Sequence, residues 1–204
     1  MSADGVIVLE CPWSDNLTDA ESVRPFIEGW AAVRQFPFSY RMYYDANSLT
    51  HWLNVFAEDT SLGACYIAGH GNGGRLSGLN RDINLVSLGK ATGDNVKSPN
   101  RKGVLFGSCE VGGKLDSFLS ACSNRISWTA GYDRTVPWME STICDLLFLE
   151  YVLAGRVCRK DGAFALASNG GFRCQTASSA SIARRWLYED CGLAALCGFV
   201  VHER

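Results

Sequence analysis

Short uncharged apolar runs alternate along the chain with amphipathic stretches, and this pattern predicts an α/β fold. An apolar run without polar alternation is typical of a strand that is buried on both faces of a parallel sheet. Three runs of this kind lie at residues 5–10, 65–69 and 103–108. Three further segments are predicted strands: residues 39–44, 125–131 and 198–202. Together they predict a mostly parallel sheet of about six strands.

Helical periodicity fills most of the segments between these strands. Apolar positions repeat at helical spacing in five segments: residues 19–34, 47–58, 114–121, 137–153 and 178–188. Asn47 or Ser48 is the expected N-cap of the second helix. Residues 71–102 are polar and glycine-rich and are predicted to be a long loop with one short periodic piece at residues 85–88. Because no linker separates the elements, residues 1–204 are predicted to be one domain with helices flanking the sheet.

Two of the predicted strands end at residues that can take part in nucleophilic catalysis. His70 follows the run at residues 65–69, and Cys109 follows the run at residues 103–108. If these strands are neighbours, the thiol and the imidazole meet at the carboxyl edge of the sheet, where reactive groups collect in open parallel sheets. A free thiol is mostly protonated at neutral pH and needs a nearby base. Cys109 and His70 are therefore the candidate catalytic dyad.

These strand endings resemble the caspase-like superfamily of cysteine peptidases, which includes caspases, metacaspases, separases, gingipains and CHAT domains. The matching residues are His70-Gly71 after one apolar strand and Ser108-Cys109 after the next, with Glu110 following. The resemblance covers roughly residues 5–153. The Gln-Ala-Cys-x-Gly signature of animal caspases is absent, so the sequence is more similar to separases and CHAT domains than to true caspases.

The resemblance implies a caspase-like three-layer sandwich and a cysteine endopeptidase that cleaves a protein or peptide substrate. Cys109 would be the nucleophile and His70 the general base and acid. The backbone N–H groups of Gly71 and Cys109 would form the oxyanion hole. A glycine at position 71 suits this role, because a backbone without a β-carbon can turn sharply beside the imidazole.

The same resemblance places the substrate-binding residues in the loops after the first and fifth strands of the sheet. Those loops carry Trp13 and Asp15 after one strand and Tyr132 and Asp133 after the other. Two carboxylates facing one pocket would favour an Arg or Lys side chain in the substrate, since a buried charge needs a partner. An inward-facing Arg134 would instead favour an acidic side chain, and an aromatic lining would favour an apolar one.

Composition limits the classes of partner. The 204 residues carry a formal net charge of −2 and 47% apolar residues, with no basic stripe, so neither nucleic acid nor a membrane is an expected partner. No apolar run is long enough for a transmembrane span, and no secretory signal is evident, so the expected location is cytoplasmic. Any sensor or activator would be a separate protein.

The nine cysteines are spread without a CxxC pair, which favours a reducing compartment over a disulfide framework. No zinc site or other cofactor is expected, because the three histidines and the cysteines lack the tight spacing of metal ligands. Five cysteines in apolar surroundings are predicted to be small core residues: Cys65, Cys144, Cys158, Cys191 and Cys197.

Three alternatives compete with the peptidase interpretation. A caspase-like domain can be a silent scaffold or a regulatory module. An α/β-hydrolase would use Cys109 with Asp190 or Asp133 and His202, but its nucleophile turn requires glycine where this chain has Val111. Residues 69–74 also match the glycine pattern of a dinucleotide site, with Asp94 further on, but they follow the third predicted strand instead of the first.

Overall fold

The structure is a computed structural model that describes residues 5–14, 16, 21–92, 102–122, 126–154, 159–160, 163–164 and 180–204. Its described strands are β1 (Gly5–Glu10), β2 (Phe38–Met42), β3 (Leu62–Ala68), β4 (Gly71–Asn72), β5 (Arg75–Leu76), β6 (Ile83–Asn84), β7 (Lys102–Gly107), β8 (Ile126–Tyr132), β9 (Arg159–Lys160), β10 (Ala163–Phe164) and β11 (Phe199–Glu203). Its described helices are α1 (Arg24–Arg34), α2 (Ala46–Glu58), α3 (Leu85–Lys90), α4 (Leu115–Ala121), α5 (Trp138–Leu149), α6 (Ala180–Cys191) and α7 (Leu193–Leu196). A 3-10 turn at Gly112–Lys114 precedes α4, and a π-helical stretch at Glu150–Ala154 follows α5.

Six strands form the central sheet in the order β11-β8-β7-β3-β1-β2. Five of them are parallel, and the edge strand β11 runs antiparallel to β8. This confirms the predicted α/β class with a mostly parallel sheet. The strands β3 and β7 are direct neighbours, and Ala68 pairs with Gly107 at their carboxyl ends. The two candidate catalytic residues therefore follow strands that end side by side.

Helices cover both faces of the sheet, which explains the continuous apolar runs. In β1, Val6 and Val8 face a core layer that includes residues of α1, α5 and α6. The alternate residues Ile7 and Leu9 face a second layer that includes residues of α2, α3 and α4. Because successive side chains of a strand point to opposite faces, every position of such a strand is buried and apolar alternation disappears.

Two helices begin at residues other than the predicted ones. The first helix begins at Arg24 instead of residue 19, with a proline in its first turn, where the missing N–H is not needed. The second begins at Ala46, because Asp45 is the N-cap in place of Asn47 or Ser48. The Asp45 carboxylate accepts the Ser48 backbone N–H at 2.8 Å, and Ser48 completes the capping box.

The prediction that residues 71–102 form a loop is wrong for residues 71–90, which contain short strands and a helix. The strands β4, β5 and β6 form a small antiparallel sheet, and the short periodic piece is the helix α3. Two-residue strands are too short to leave an alternating pattern in the sequence, so this sheet could not be read from it. Residues 93–101, with Asp94, lie outside the described part of the chain.

Among the described helices, none combines the length and the hydropathy that a membrane crossing requires.

Candidate active site

His70 lies just beyond β3 and is held from one side by Trp13. Its Nε2 atom is 2.9 Å from the Trp13 carbonyl oxygen, and the two rings meet edge to face with centroids 5.2 Å apart. A carbonyl oxygen only accepts hydrogen bonds, so this contact requires the proton on Nε2. In the neutral imidazole the acceptor nitrogen is then Nδ1. Nδ1 is therefore the ring nitrogen that can take up a proton.

Glu10 fixes the segment that carries Trp13. This buried carboxylate ends β1 and accepts four hydrogen bonds: from Trp13 Nε1 at 2.7 Å, Ser22 Oγ at 2.7 Å, Val23 N at 2.9 Å and Tyr40 Oη at 2.9 Å. The donors come from the segment after β1, from the start of α1 and from β2. Glu10 is not among the site residues predicted from the sequence. A signal for it was present, because a carboxylate ends a strand that is otherwise apolar.

Cys109 lies two residues beyond the end of β7 and is half-buried. The Val136 N–H donates to its Sγ at 3.5 Å, and the Val136 carbonyl accepts at 3.8 Å. The segment between β8 and α5 therefore lies directly over the sulfur. An N–H aimed at sulfur can stabilise negative charge that develops there during a reaction.

The other cysteines with described side chains are buried. They are Cys11, Cys65, Cys122, Cys144 and Cys197, which confirms the core prediction for Cys65, Cys144 and Cys197. Burial, with the nearby Glu10 charge, raises the pKa of Cys11 to about 11. Burial also raises the pKa of Cys122 to about 12. Both thiols are therefore unreactive at neutral pH. Cys158 and the Cys191 side chain lie outside the described part of the structure.

Cys109 and His70 line one cavity of about 160 Å³ at the edge of the sheet, here called the Cys109 cavity. Its lining also includes Trp13, Glu21, Val136, Trp138 and Ser141. Among the described residues, the hydrogen bonds of the thiol go to Val136 and that of the imidazole to Trp13, so the two are not bonded to each other. Catalytic hydrogen bonds are often loose until a substrate is bound.

Gly71 lies against the turn that holds Cys109. A β-carbon at this position would overlap the Cys109 carbonyl oxygen and would press on Ser108 and Val111. Only glycine allows β4 to lie this close to the end of β7. The structure thus brings together the backbones of the two residues predicted to form the oxyanion hole, and that role stays a prediction.

Glu110 is in the left-handed region, with φ of 57°, where a residue other than glycine is uncommon. Its N–H donates to the Arg134 carbonyl at 3.2 Å, and its carbonyl accepts the Gly74 N–H at 2.8 Å. Its carboxylate accepts the Thr135 hydroxyl at 2.7 Å and the Gly73 N–H at 3.3 Å. These two bonds, that from Thr135 first, lower the pKa of Glu110, so the side chain is ionised at neutral pH.

Two of the four predicted substrate-binding residues have well-defined positions near the Cys109 cavity. Trp13 lines it. Tyr132 is fully buried, and its hydroxyl lies 2.6 Å from Asp145 Oδ1 and 2.9 Å from the Ser141 carbonyl oxygen. It is the last residue of β8 and packs in the core layer that includes residues of α5, and it is not among the residues that line the Cys109 cavity.

Of the two predicted carboxylates, Asp133 is not part of this lining. Asp133 pairs with Arg134 at 2.9 Å, and both belong to a neighbouring groove of about 630 Å³, here called the Glu110 groove. The lining of this groove also includes Gly73, Gly74, Glu110 and Thr135. Asp15 lies outside the described residues. The carboxylate that does line the Cys109 cavity is Glu21, which sequence reasoning missed.

The α/β-hydrolase alternative gains no support from the position of His202. This residue pairs with Thr129 in the middle of β8, so it lies away from the carboxyl edge of the sheet. Its Nδ1 is 4.0 Å from the Asp116 carboxylate on α4. Neither His202 nor Asp133 lines the Cys109 cavity, and the Asp190 side chain lies outside the described residues.

No protein-family model matches the sequence, and a comparison with curated proteins finds no match. Within the described ranges, no group of three or more His, Cys, Asp or Glu side chains is arranged to hold a metal ion.

Proposed function

We propose that this protein is a cysteine endopeptidase with a caspase-like fold, in which Cys109 is the nucleophile and His70 the general base and acid. One observation carries the proposal. The thiol and an oriented imidazole line the same cavity at the ends of two neighbouring parallel strands. Cys109 is also the described cysteine whose side chain is not buried.

The reaction follows from this arrangement. His70 Nδ1 takes the thiol proton, and the Cys109 sulfur attacks the carbonyl carbon of the scissile peptide bond. The backbone N–H groups of Gly71 and Cys109 stabilise the resulting oxyanion. The imidazolium then gives its proton to the leaving amine, which departs as the thioester forms. Water, deprotonated by the same imidazole, hydrolyses the thioester and restores the thiol.

The contacts of the two side chains support their roles. The Trp13 carbonyl holds the imidazole through Nε2 and also stabilises the imidazolium that forms during the reaction. The Val136 N–H stabilises the thiolate.

The expected preference for Arg or Lys was argued from Asp15 and Asp133, and Asp133 does not line the Cys109 cavity. Glu21 lines this cavity together with Trp13 and Trp138, and its carboxylate supports the same preference.

The proposal is tested by peptide cleavage and by labelling with an active-site thiol probe. Cys109→Ala and His70→Ala should each lower peptide cleavage by about a thousandfold or more. Because the two residues act as a unit, the double variant should be hardly worse than either single one. Cleavage sites mapped on a proteome-derived peptide library give the substrate preference in the same experiment.

His202→Ala is the matched control, and it should cleave peptides as the native chain does. Turnover that survives in Cys109→Ala contradicts the assignment of the nucleophile. Loss of turnover in His202→Ala would favour the α/β-hydrolase instead. A native chain that neither cleaves peptides nor reacts with the probe at Cys109 would favour the silent scaffold.

A further inference from the structure

Glu110 connects the three segments that meet at the nucleophile. Through its backbone it is bonded to Arg134 on one side and to Gly74 on the other. Through its carboxylate it is bonded to Thr135 and to Gly73. The turn after β7 is thereby tied to the β4–β5 hairpin, which follows His70, and to the segment between β8 and α5.

The bond to Thr135 has a direct consequence for the sulfur. Thr135 immediately precedes Val136, whose N–H donates to Cys109 Sγ at 3.5 Å. A carboxylate held at 2.7 Å from the Thr135 hydroxyl therefore fixes the residue next to this donor. Asp133, Arg134 and Thr135 are exposed, so this part of the segment has few apolar contacts to hold it in place, whereas Val136 itself packs against the core.

The backbone at Glu110 points to the same role. A left-handed conformation costs a residue with a side chain on the order of 1 kcal/mol compared with glycine. Glycine would relieve this strain, but it would also remove the two carboxylate bonds. The side chain at this position thus makes contacts that glycine could not make.

We propose that Glu110 is a positioning residue, which acts through Thr135 to hold the Val136 N–H against the sulfur of Cys109. The role rests on the proposed function, since it serves a thiol that must react. The reactivity of the thiol can nevertheless be measured without any substrate. Failure of this inference can therefore be separated from failure of the peptidase proposal.

The test is the rate at which iodoacetamide alkylates Cys109 in the full chain at neutral pH, followed by mass spectrometry. Thr135→Val is isosteric and changes no charge, and it should slow alkylation about threefold to tenfold because the Val136 N–H is no longer held against the sulfur. Glu110→Gly should slow it to a similar extent while the melting temperature stays within a few degrees. Glu110→Gln keeps one acceptor for Thr135 and should lie closer to the native rate.

The double variant Glu110→Gly/Thr135→Val should be no slower than the slower single variant, because both substitutions remove the same hydrogen bond between Thr135 and Glu110. Glu58→Gln and Thr60→Val, which change two exposed residues, are the controls and should leave the alkylation rate unchanged. If a peptide substrate is cleaved, the same variants should lower kcat with little change in KM. Alkylation within twofold of the native rate in Thr135→Val and Glu110→Gly, or effects that multiply in the double variant, would overturn the inference.

Discussion

At the scale of single residues, the candidate site is set by carboxylates that never touch the thiol or the imidazole. Glu10 accepts the indole N–H of Trp13, the residue whose carbonyl oxygen contacts His70 Nε2. Glu110 ties the turn of Cys109 to the segment that lies over its sulfur. Each carboxylate accepts hydrogen bonds from more than one segment of the chain. Each one therefore holds the segment after a strand end in a fixed position.

Replacing Glu10 by glutamine tests the first of these arrangements. The carboxylate accepts two N–H groups at Oε1 and the hydroxyls of Ser22 and Tyr40 at Oε2. Glutamine would place an amide nitrogen that cannot accept at one of these positions, and it would remove the negative charge from the remaining hydrogen bonds. We expect Glu10→Gln to lower the free energy of unfolding by about 2–3 kcal/mol and peptide cleavage by about tenfold, because Trp13 no longer orients His70. Urea unfolding and steady-state kinetics measure both effects.

The exposed Glu189→Gln is the matched control and should change neither quantity. A Glu10→Gln variant with native stability and native turnover would show that the segment after β1 keeps its position without this carboxylate.

At the scale of elements, the small β4–β5–β6 sheet is part of the site and not merely a connection. Gly71 begins β4 directly after His70 and contacts the carbonyl of Cys109. At the turn of the hairpin, Gly73 and Gly74 donate to Glu110. The hairpin thus packs against the end of β7 and closes the carboxyl edge of the sheet on one side.

Gly71→Ala tests this packing. Because the new β-carbon would overlap the Cys109 carbonyl oxygen, β4 must move away from the turn that holds Cys109. We expect a loss of about 1–3 kcal/mol in the free energy of unfolding, as for other overpacked sites, and a loss of peptide cleavage and of Cys109 labelling. Differential scanning calorimetry and the thiol probe give the two readouts.

Gly29→Ala provides the control within α1, where an added β-carbon meets no atom within 4 Å. It should raise stability by about 0.5–1 kcal/mol, since alanine favours a helix interior over glycine. Equal effects of the two substitutions would contradict the close packing of β4.

At the scale of the whole molecule, one buried carboxylate joins the sheet to α5 behind the Cys109 cavity. Asp145 is fully buried, and its oxygens lie 2.7 Å from the Tyr66 hydroxyl of β3 and 2.6 Å from the Tyr132 hydroxyl of β8. Burial raises the pKa of Asp145 to about 7, and the two tyrosine hydrogen bonds oppose this shift. The link between the layers is therefore sensitive to pH.

Asp145→Asn should reduce the pH dependence of stability. An aspartate whose pKa is raised from 3.8 to about 7 on folding binds a proton that the unfolded chain has released, so its stabilisation is full below pH 4 and is lost as pH rises towards 7. Asparagine does not titrate. We expect the fall in melting temperature between pH 5 and pH 8 to be smaller in the variant by on the order of 5 °C.

The control for Asp145→Asn is Asp82→Asn, which changes an exposed carboxylate and should keep the native pH dependence. Identical melting curves against pH in the native chain and in Asp145→Asn would contradict a titrating group at this position.

The periodicity of the sequence determined the elements of the sheet and its class. Buried parallel strands need apolar residues on both faces, and this requirement is visible without the structure in β1, β3 and β7. The same pattern identified His70 after β3 and Cys109 after β7, because the carboxyl ends of neighbouring parallel strands lie at the same edge of the sheet. The two-residue strands of the hairpin left no such signal.

Contacts between residues distant in the sequence were decided only by the tertiary structure. The Trp13 carbonyl meets His70, and Val136 meets Cys109, through backbone groups that every residue type carries. Glu21 lines the Cys109 cavity, whereas Asp133, an equally plausible carboxylate in the sequence, faces the Glu110 groove. Residue type fixes which chemistry is available, but the direction in which a loop side chain points depends on packing that the sequence pattern does not encode.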